Sequence, residues 1–177
     1  MFFLPGIVIT VISFPGVIVH ELAHQLFCRW FKVPVFEVVY FRVGNPAGYV
    51  IHEHAPKNYQ TIFIAIGPFI INTILGFLIA FPAALQFQFD SANLLDFLLL
   101  YLGVSIAMHA FPSTGDASGL WKSVMENKES SVLTKIIVAP IVGFIYLGAL
   151  GSFVWLDVLY GAGIAYGLPT LLVKMLA

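Results

Sequence analysis

The sequence predicts an all-α polytopic membrane protein of about five transmembrane helices, with a small β-hairpin between the first two spans. Hydrophobic residues make up 60% of the 177 residues and charged residues only 10%. Mean hydropathy is +0.96, and soluble domains are only about 45 to 50% apolar. The apolar residues also form runs long enough to cross a bilayer. At this length we expect a single membrane-embedded domain over residues 1–177.

Four apolar runs supply the predicted spans. The first covers residues 2–31, and the next two cover residues 62–85 and 94–111. The last, residues 136–175, is too long for one crossing at about 1.5 Å per residue, so we split it near residues 157–163. A cleavable signal peptide is the alternative for the first run, but the run lacks a positive n-region and a small-residue cleavage site.

Positive residues predict the orientation of these spans. The loop between the second and third spans carries Asp90 and Asp96 but no Lys or Arg. Five spans therefore place all eight Lys and Arg residues on one side, which is expected to be the cytoplasm. We expect a multi-pass protein of the cell membrane with its N-terminus outside and its C-terminus in the cytoplasm. Four spans would put Lys174 outside.

A β-hairpin is predicted between the first two spans. Residues 35–43 and 49–54 are rich in β-branched and aromatic side chains, and the turn sequence Gly44-Asn45-Pro46-Ala47-Gly48 separates them. We expect this hairpin to lie at the membrane surface.

Composition excludes two classes of function. The formal net charge is −1, with no basic run of the kind that nucleic acid binding requires. A single cysteine, Cys28, allows neither an intrachain disulfide nor a cysteine metal cluster.

The first predicted span contains the sequence His20-Glu21-Leu22-Ala23-His24, an HExxH pattern. On a helix the two histidines lie on one face and can bind one Zn²⁺, while Glu21 is placed to act as general base. Ionisable residues in a membrane helix are costly, at about 2.5 to 3.5 kcal/mol each, and are usually functional. A hydrogen-bond cluster between helices is the simpler alternative.

A catalytic zinc site needs a third protein ligand. Five residues are candidates: His52, His54, His109, Asp116 and Asp157. The predicted topology puts Asp157 on the far side of the membrane. Asp116 is best placed, because Pro112 to Gly115 interrupt regular helix after the third span and allow a carboxylate to turn back into the bundle. His52 and His54 are most simply surface residues of the hairpin.

Three motifs resemble those of the site-2 protease family of intramembrane zinc metalloproteases. His20, Glu21 and His24 match its HExxH, Gly67-Pro68-Phe-Ile-Ile-Asn72 resembles its Gly-Pro-x-x-Asn stretch, and His109-Ala-Phe-Pro-Ser-Thr-Gly-Asp116 resembles its Asn-x-x-Pro...Asp-Gly motif. The resemblance, over residues 14–125, implies that Asp116 is the third ligand and that Asn72 supports the substrate or the oxyanion.

The match departs from the family pattern at two places. One extra residue precedes Asn72, which rotates its side chain by about 100° on a helix. His109 stands where the family has Asn, and Gly precedes Asp116 instead of following it. His109 is therefore open to several roles: oxyanion support, a rival ligand or an interhelical hydrogen bond.

The leading hypothesis is a zinc-dependent membrane endopeptidase. Its substrate would be a transmembrane or membrane-proximal segment of another protein in the bilayer, held extended by the edge of the hairpin. One alternative is a non-proteolytic relative that binds a partner helix or a metal. The other is a small transporter, but its ionisable residues would be spread over several depths, and here they crowd at one level.

Overall fold

The computed structural model describes residues 6–176, which form mostly helices and one two-stranded sheet. The helices are α1 (Gly6–Ile12), α2 (Phe14–Trp30), α3 (Asn58–Gln88), α4 (Leu94–Met108), α5 (Thr114–Leu120), α6 (Val132–Gly151), α7 (Leu156–Ala162) and α8 (Leu168–Leu176). The strands are β1 (Val35–Val39) and β2 (Tyr49–His52), and short helical turns cover Trp121–Met125, Ser152–Val154 and Gly163–Gly167. The predicted helical class with a hairpin after the first span is confirmed.

Several helices could cross a membrane. Three described segments are long and apolar enough: Asn58–Gln88, Val132–Val154 and Leu156–Met175. The pair α1 and α2 would make a fourth, although it bends by 79°. With 15 residues, α4 is shorter than the roughly 20 residues that a crossing needs. The described residues support a membrane protein with three or four spans, and five crossings are not confirmed.

The first predicted span is not one continuous helix. α1 ends at Ile12 and α2 begins at Phe14, with Pro15 in the first turn of α2. Proline has no N–H to donate to the preceding turn, and its ring clashes there. The Ser13 backbone N–H and hydroxyl both donate to the Ile9 carbonyl at the end of α1. Residues 2–5 of that predicted span lie outside the described residues.

The hairpin has shorter strands than predicted. β1 and β2 pair antiparallel, with Val35 opposite His52 and Val39 opposite Tyr49. The Tyr49 hydroxyl donates to Glu37 Oε1 at 2.7 Å, and this hydrogen bond raises the pKa of Tyr49. The Arg42 side chain donates to the Pro46 carbonyl at 2.9 Å and so helps to hold the turn.

Two clusters of buried apolar residues meet on α3. The first joins α3 to α5, α6 and the turn between them, and it contains Ala65, Ala117, Leu120, Val124, Val138, Val142 and Ile145. The second joins α2, the hairpin ends and α3, and it contains Phe27, Cys28, Val33, Ala55 and Ile64. Because Ile64 and Ala65 are neighbours, one turn of α3 holds α2 close to α5.

Small residues let α3 and α4 pack closely. A Cβ added to Gly103 would lie 2.5 Å from the Cβ of Ala80, and one added to Gly76 would lie 2.7 Å from the Cβ of Ala107. Such residues allow the backbones of membrane helices to approach one another. This packing fixes the C-terminal end of α4, and with it His109, beside α2.

The last third of the chain, from α6 to α8, contacts α3 along its length. Its contacts follow the order of α3: Asn58 with Ser130, Phe69 with Phe144, Thr73 with Tyr160 and Phe87 with Tyr166. The predicted antiparallel pair of spans is not confirmed: the two segments meet at Trp155, which has a φ of 64°, and each is long and apolar enough to cross a membrane.

Candidate metal centre and its cavity

Two histidines of α2 meet at their ring nitrogens. His20 and His24 are four residues apart on the helix, and their Nε2 atoms lie 3.2 Å apart. The opposite ring nitrogens contact backbone carbonyls: Nδ1 of His20 lies 2.7 Å from the His109 oxygen, and Nδ1 of His24 lies 2.9 Å from the Ile64 oxygen. A carbonyl can only accept, so each Nδ1 carries a proton, and in the neutral imidazole each Nε2 then presents a lone pair.

Both carbonyls are free for structural reasons. Residue 68 would donate its N–H to the Ile64 carbonyl in a regular helix, but Pro68 has no N–H. His109 caps the C-terminus of α4, where the last carbonyls of a helix have no partner within it. A proline and a helix end thus supply the acceptors that orient the two rings.

Asp116 completes the group from α5. Ser113, the N-cap of α5, donates from its backbone N–H and its hydroxyl to Asp116 Oδ2, at 2.7 and 2.6 Å. This capping box directs the other oxygen, Oδ1, toward His24, where it lies 3.4 Å from Nε2. The ligand atoms of His20, His24 and Asp116 all lie within 4.8 Å of one another.

The donor set fits Zn²⁺. In their neutral forms the two imidazoles direct lone pairs toward each other and toward one carboxylate oxygen, an arrangement that a cation stabilises. Zn²⁺ binds imidazole at about 2.0 to 2.1 Å in tetrahedral geometry, which sets ligand atoms about 3.3 Å apart. Two of the three separations, 3.2 and 3.4 Å, agree with that spacing, and the third lies within 4.8 Å. Two His and one Asp also match the three protein ligands of a catalytic site.

Glu21 lies beside this group and beneath the hairpin turn. Its side chain is buried, with 7% exposed. Gly48 packs directly on it: a Cβ at position 48 would lie 2.6 Å from Glu21 Cγ and 2.8 Å from Oε1. The turn therefore needs glycine here, and it limits the positions that the Glu21 carboxylate can take.

A cavity of about 480 Å³ opens on the group. α2, α3, α5, β2 and the hairpin turn all contribute to its walls. The cavity is bordered by the three ligand residues His20, His24 and Asp116 and by Glu21. Tyr49, Val50 and His52 of β2 border it as well. A peptide of several residues can reach the three ligands from this space.

His52 and His54 line the same cavity but not the ligand group. His52 contacts the carbonyl of its own neighbour, Glu53, at 2.7 Å. His54 is exposed and lies 3.4 Å from the Ser123 hydroxyl. Among the described residues the group of potential metal ligands contains only His20, His24 and Asp116.

Asn72 and His109, predicted as support for the substrate or the oxyanion, lie outside the ligand group. The Asn72 side chain is fully buried, and its amide donates to the carbonyls of Gly16, Ile106 and His109. His109 contacts the Ser13 hydroxyl at 2.8 Å through its Nε2 atom. Neither residue lines the cavity with the ligands. Asn72 instead holds the same His109 carbonyl that orients His20, a role decided by helix packing.

Two further residues that position the site were not predicted: Gly48, which packs on Glu21, and Ser113, which holds Asp116. Ser113 had a signal in the sequence, because Ser at position i and Asp at i+3 form a capping box. The free carbonyl that Pro68 leaves at Ile64 can also be deduced from sequence, but the partner that uses it comes from another helix.

A protein-family model described as "Putative zincin peptidase" (DUF3267) matches residues 13–132. The chain belongs to this family. The matched segment contains the entire ligand group, Glu21 and the hairpin. No curated protein and no solved structure matches the chain. Zincins carry the HExxH pattern, so the family implies zinc as cofactor and suggests a zinc metallopeptidase.

Proposed function

We propose that this protein is a zinc-dependent intramembrane endopeptidase of the site-2 protease type, which cleaves a transmembrane or membrane-proximal segment of a protein substrate. The observation that carries the proposal is the convergence of three ligand atoms within 4.8 Å at a cavity that Glu21 also borders. Two of the ligands lie on a helix of a bent apolar pair that is long enough to cross a membrane.

The chain's own residues divide the chemistry among them. His20, His24 and Asp116 hold the zinc ion. When bound, Zn²⁺ supplies Lewis-acid chemistry, lowering the pKa of water and polarising a carbonyl. Glu21 takes the proton of the attacking water and returns it to the departing amine. The Ile64 and His109 carbonyls fix the tautomers of the two histidines, and Ser113 fixes Asp116.

β2 is suited to hold the substrate. One edge of this strand pairs with β1, and Tyr49, Val50 and His52 border the cavity. A substrate segment added as a third strand beside β2 would have its backbone extended next to the ligand group. Extension matters because a peptide bond inside a helix is shielded from attack.

Proteolysis can be tested without knowing the substrate. Membranes from cells that produce the protein or its Glu21→Gln variant are compared by labelling new N-termini and identifying them by mass spectrometry. We expect cleavage sites within or next to apolar segments, about a hundredfold weaker in the variant, because glutamine cannot accept the proton. The variant should keep its zinc.

Three outcomes would contradict the proposal. Identical products from both membranes would show that this protein does not produce them by Glu21-dependent proteolysis. A zinc-loaded protein without products would favour a role in binding a partner helix. Products confined to soluble domains would remove the intramembrane site of cleavage.

A further inference from the structure

A second cavity, of about 560 Å³, adjoins the first across the hairpin turn. Asn45 at the tip of the turn borders both cavities. Gly44 and Ala47 face the second cavity, and Pro46 and Gly48 face the first. The hairpin turn therefore borders two neighbouring cavities.

The ligand group lies close to the hairpin turn. His109 lines the second cavity, and its backbone oxygen accepts the hydrogen bond from His20 Nδ1. Glu21 contacts Gly48 in the turn itself. An extended peptide advances by about 3.3 Å per residue, so a substrate cleaved here must continue on both sides of the scissile bond. The first cavity borders β2, and the second is the adjoining space into which the other side of the substrate can continue.

The second cavity has apolar walls and one acidic side chain. Ile7, Ile9 and Trp155 contribute to the walls, and Asp157 supplies the carboxylate. None of the Lys or Arg residues that the structure describes lines this cavity. Asp157 was predicted to lie on the opposite side of the membrane, and its place beside Asn45 and His109 corrects that prediction.

Asp157 has a local role that leaves its charge unbalanced. Its Oδ1 accepts the Val158 N–H at 2.9 Å in the first turn of α7, where a negative charge is favourable. Within residues 6–176 it forms no ion pair. A carboxylate among apolar helices normally has a partner, and an unpaired one marks a functional site by default.

We propose that the second cavity binds the substrate segment on the other side of the scissile bond, and that Asp157 selects a lysine or arginine there. The proposal rests on the proposed endopeptidase function. It defines the substrate class as an apolar segment with a basic residue at a fixed distance from the cleaved bond, on the side away from β2.

Binding of a peptide series tests the subsite. The probes are synthetic peptides of about 20 apolar residues, each with one Lys at a different position, and matched peptides with Gln. Dissociation constants are measured for the zinc-loaded Glu21→Gln protein in detergent, alone and combined with Asp157→Asn. Asn can still accept the Val158 N–H, so this variant removes charge while it keeps the helix contact. Asp90→Asn removes the same charge at the exposed turn after α3.

We expect the Lys peptide to bind about tenfold more tightly than the Gln peptide at one position or two adjacent ones. Asp157→Asn should abolish this preference, and Asp157→Glu and Asp90→Asn should keep it. Zinc content should be the same in all these variants. Equal binding of Lys and Gln peptides throughout, or a preference that survives Asp157→Asn, would overturn the subsite.

Cleavage by the wild-type protein separates the two proposals. A Lys preference in binding without any cleavage would contradict the endopeptidase and leave the subsite standing. Cleavage with no dependence on Lys or on Asp157 would contradict the subsite and leave the endopeptidase standing.

Discussion

Four histidines border one cavity, two from α2 and two from the hairpin, and they differ in what holds them. Both rings of α2 donate to carbonyls from distant parts of the chain, at Ile64 and His109. His52 contacts only its neighbour Glu53, and His54 makes a long contact with Ser123. Metal-binding histidines usually have their second ring nitrogen fixed in this way. All four histidines border the cavity. The candidate ligands differ from the other two because backbone carbonyls from distant residues hold their rings.

Asp116 should show the largest effect, because it brings the only negative charge to the ligand group. Asp116→Ala leaves two imidazoles, and zinc affinity should fall by orders of magnitude. Asp116→Asn should impair binding less, since a neutral oxygen can still coordinate. Competition with a chelator measures both values. Retention of zinc by Asp116→Ala would show that the third ligand is another residue.

Pro68 tests whether anchoring matters at His24. Pro68→Ala restores an N–H that competes for the Ile64 carbonyl, so His24 should lose its fixed tautomer and zinc affinity should fall about 10- to 100-fold. The hydrogen bond that α3 gains offsets part of the packing lost with the buried Pro68 ring.

Pro82→Ala is the matched control, because Pro82 also lies inside α3 but frees a carbonyl remote from the site. Equal zinc affinity in the two variants would remove the role of the free carbonyl.

Gly48 couples the hairpin to α2 through Glu21. The added methyl of Gly48→Ala must displace the Glu21 side chain, and we expect peptidase activity to fall about tenfold or more with zinc content unchanged. Gly143→Ala is the control, because no atom lies within 4 Å of its added Cβ and Gly143 borders neither cavity. Similar activity in both variants would show that the turn does not position Glu21.

Local pattern explains what the sequence could predict. His20, Glu21 and His24 lie within two turns of one helix, so their spacing alone brings them together. Asp116 was predicted from a helix break and a motif, and the capping box with Ser113 places it as expected. The hairpin was likewise evident from its residue types and turn.

The sequence could not show how distant segments pack around Asn72 and Asp157. Asn72 was predicted to support the substrate or the oxyanion, and in the structure its amide donates to three carbonyls from other helices. Asp157 was placed on the far side because hydropathy does not show that it borders a cavity with Asn45 and His109. The hydropathy of a window of residues indicates the length of an apolar segment. It does not indicate which face of the helix packs against which neighbouring helix.

Zinc stoichiometry of two double variants tests the central contrast most directly. The protein with His20→Ala and His24→Ala is compared with the protein with His52→Ala and His54→Ala, both purified in the same detergent beside wild type. Equal elution in size-exclusion chromatography shows that all three are folded. We predict one zinc ion per chain in wild type and in the hairpin variant, and none in the α2 variant. Full zinc in the α2 variant, or its loss from the hairpin variant, would contradict the account.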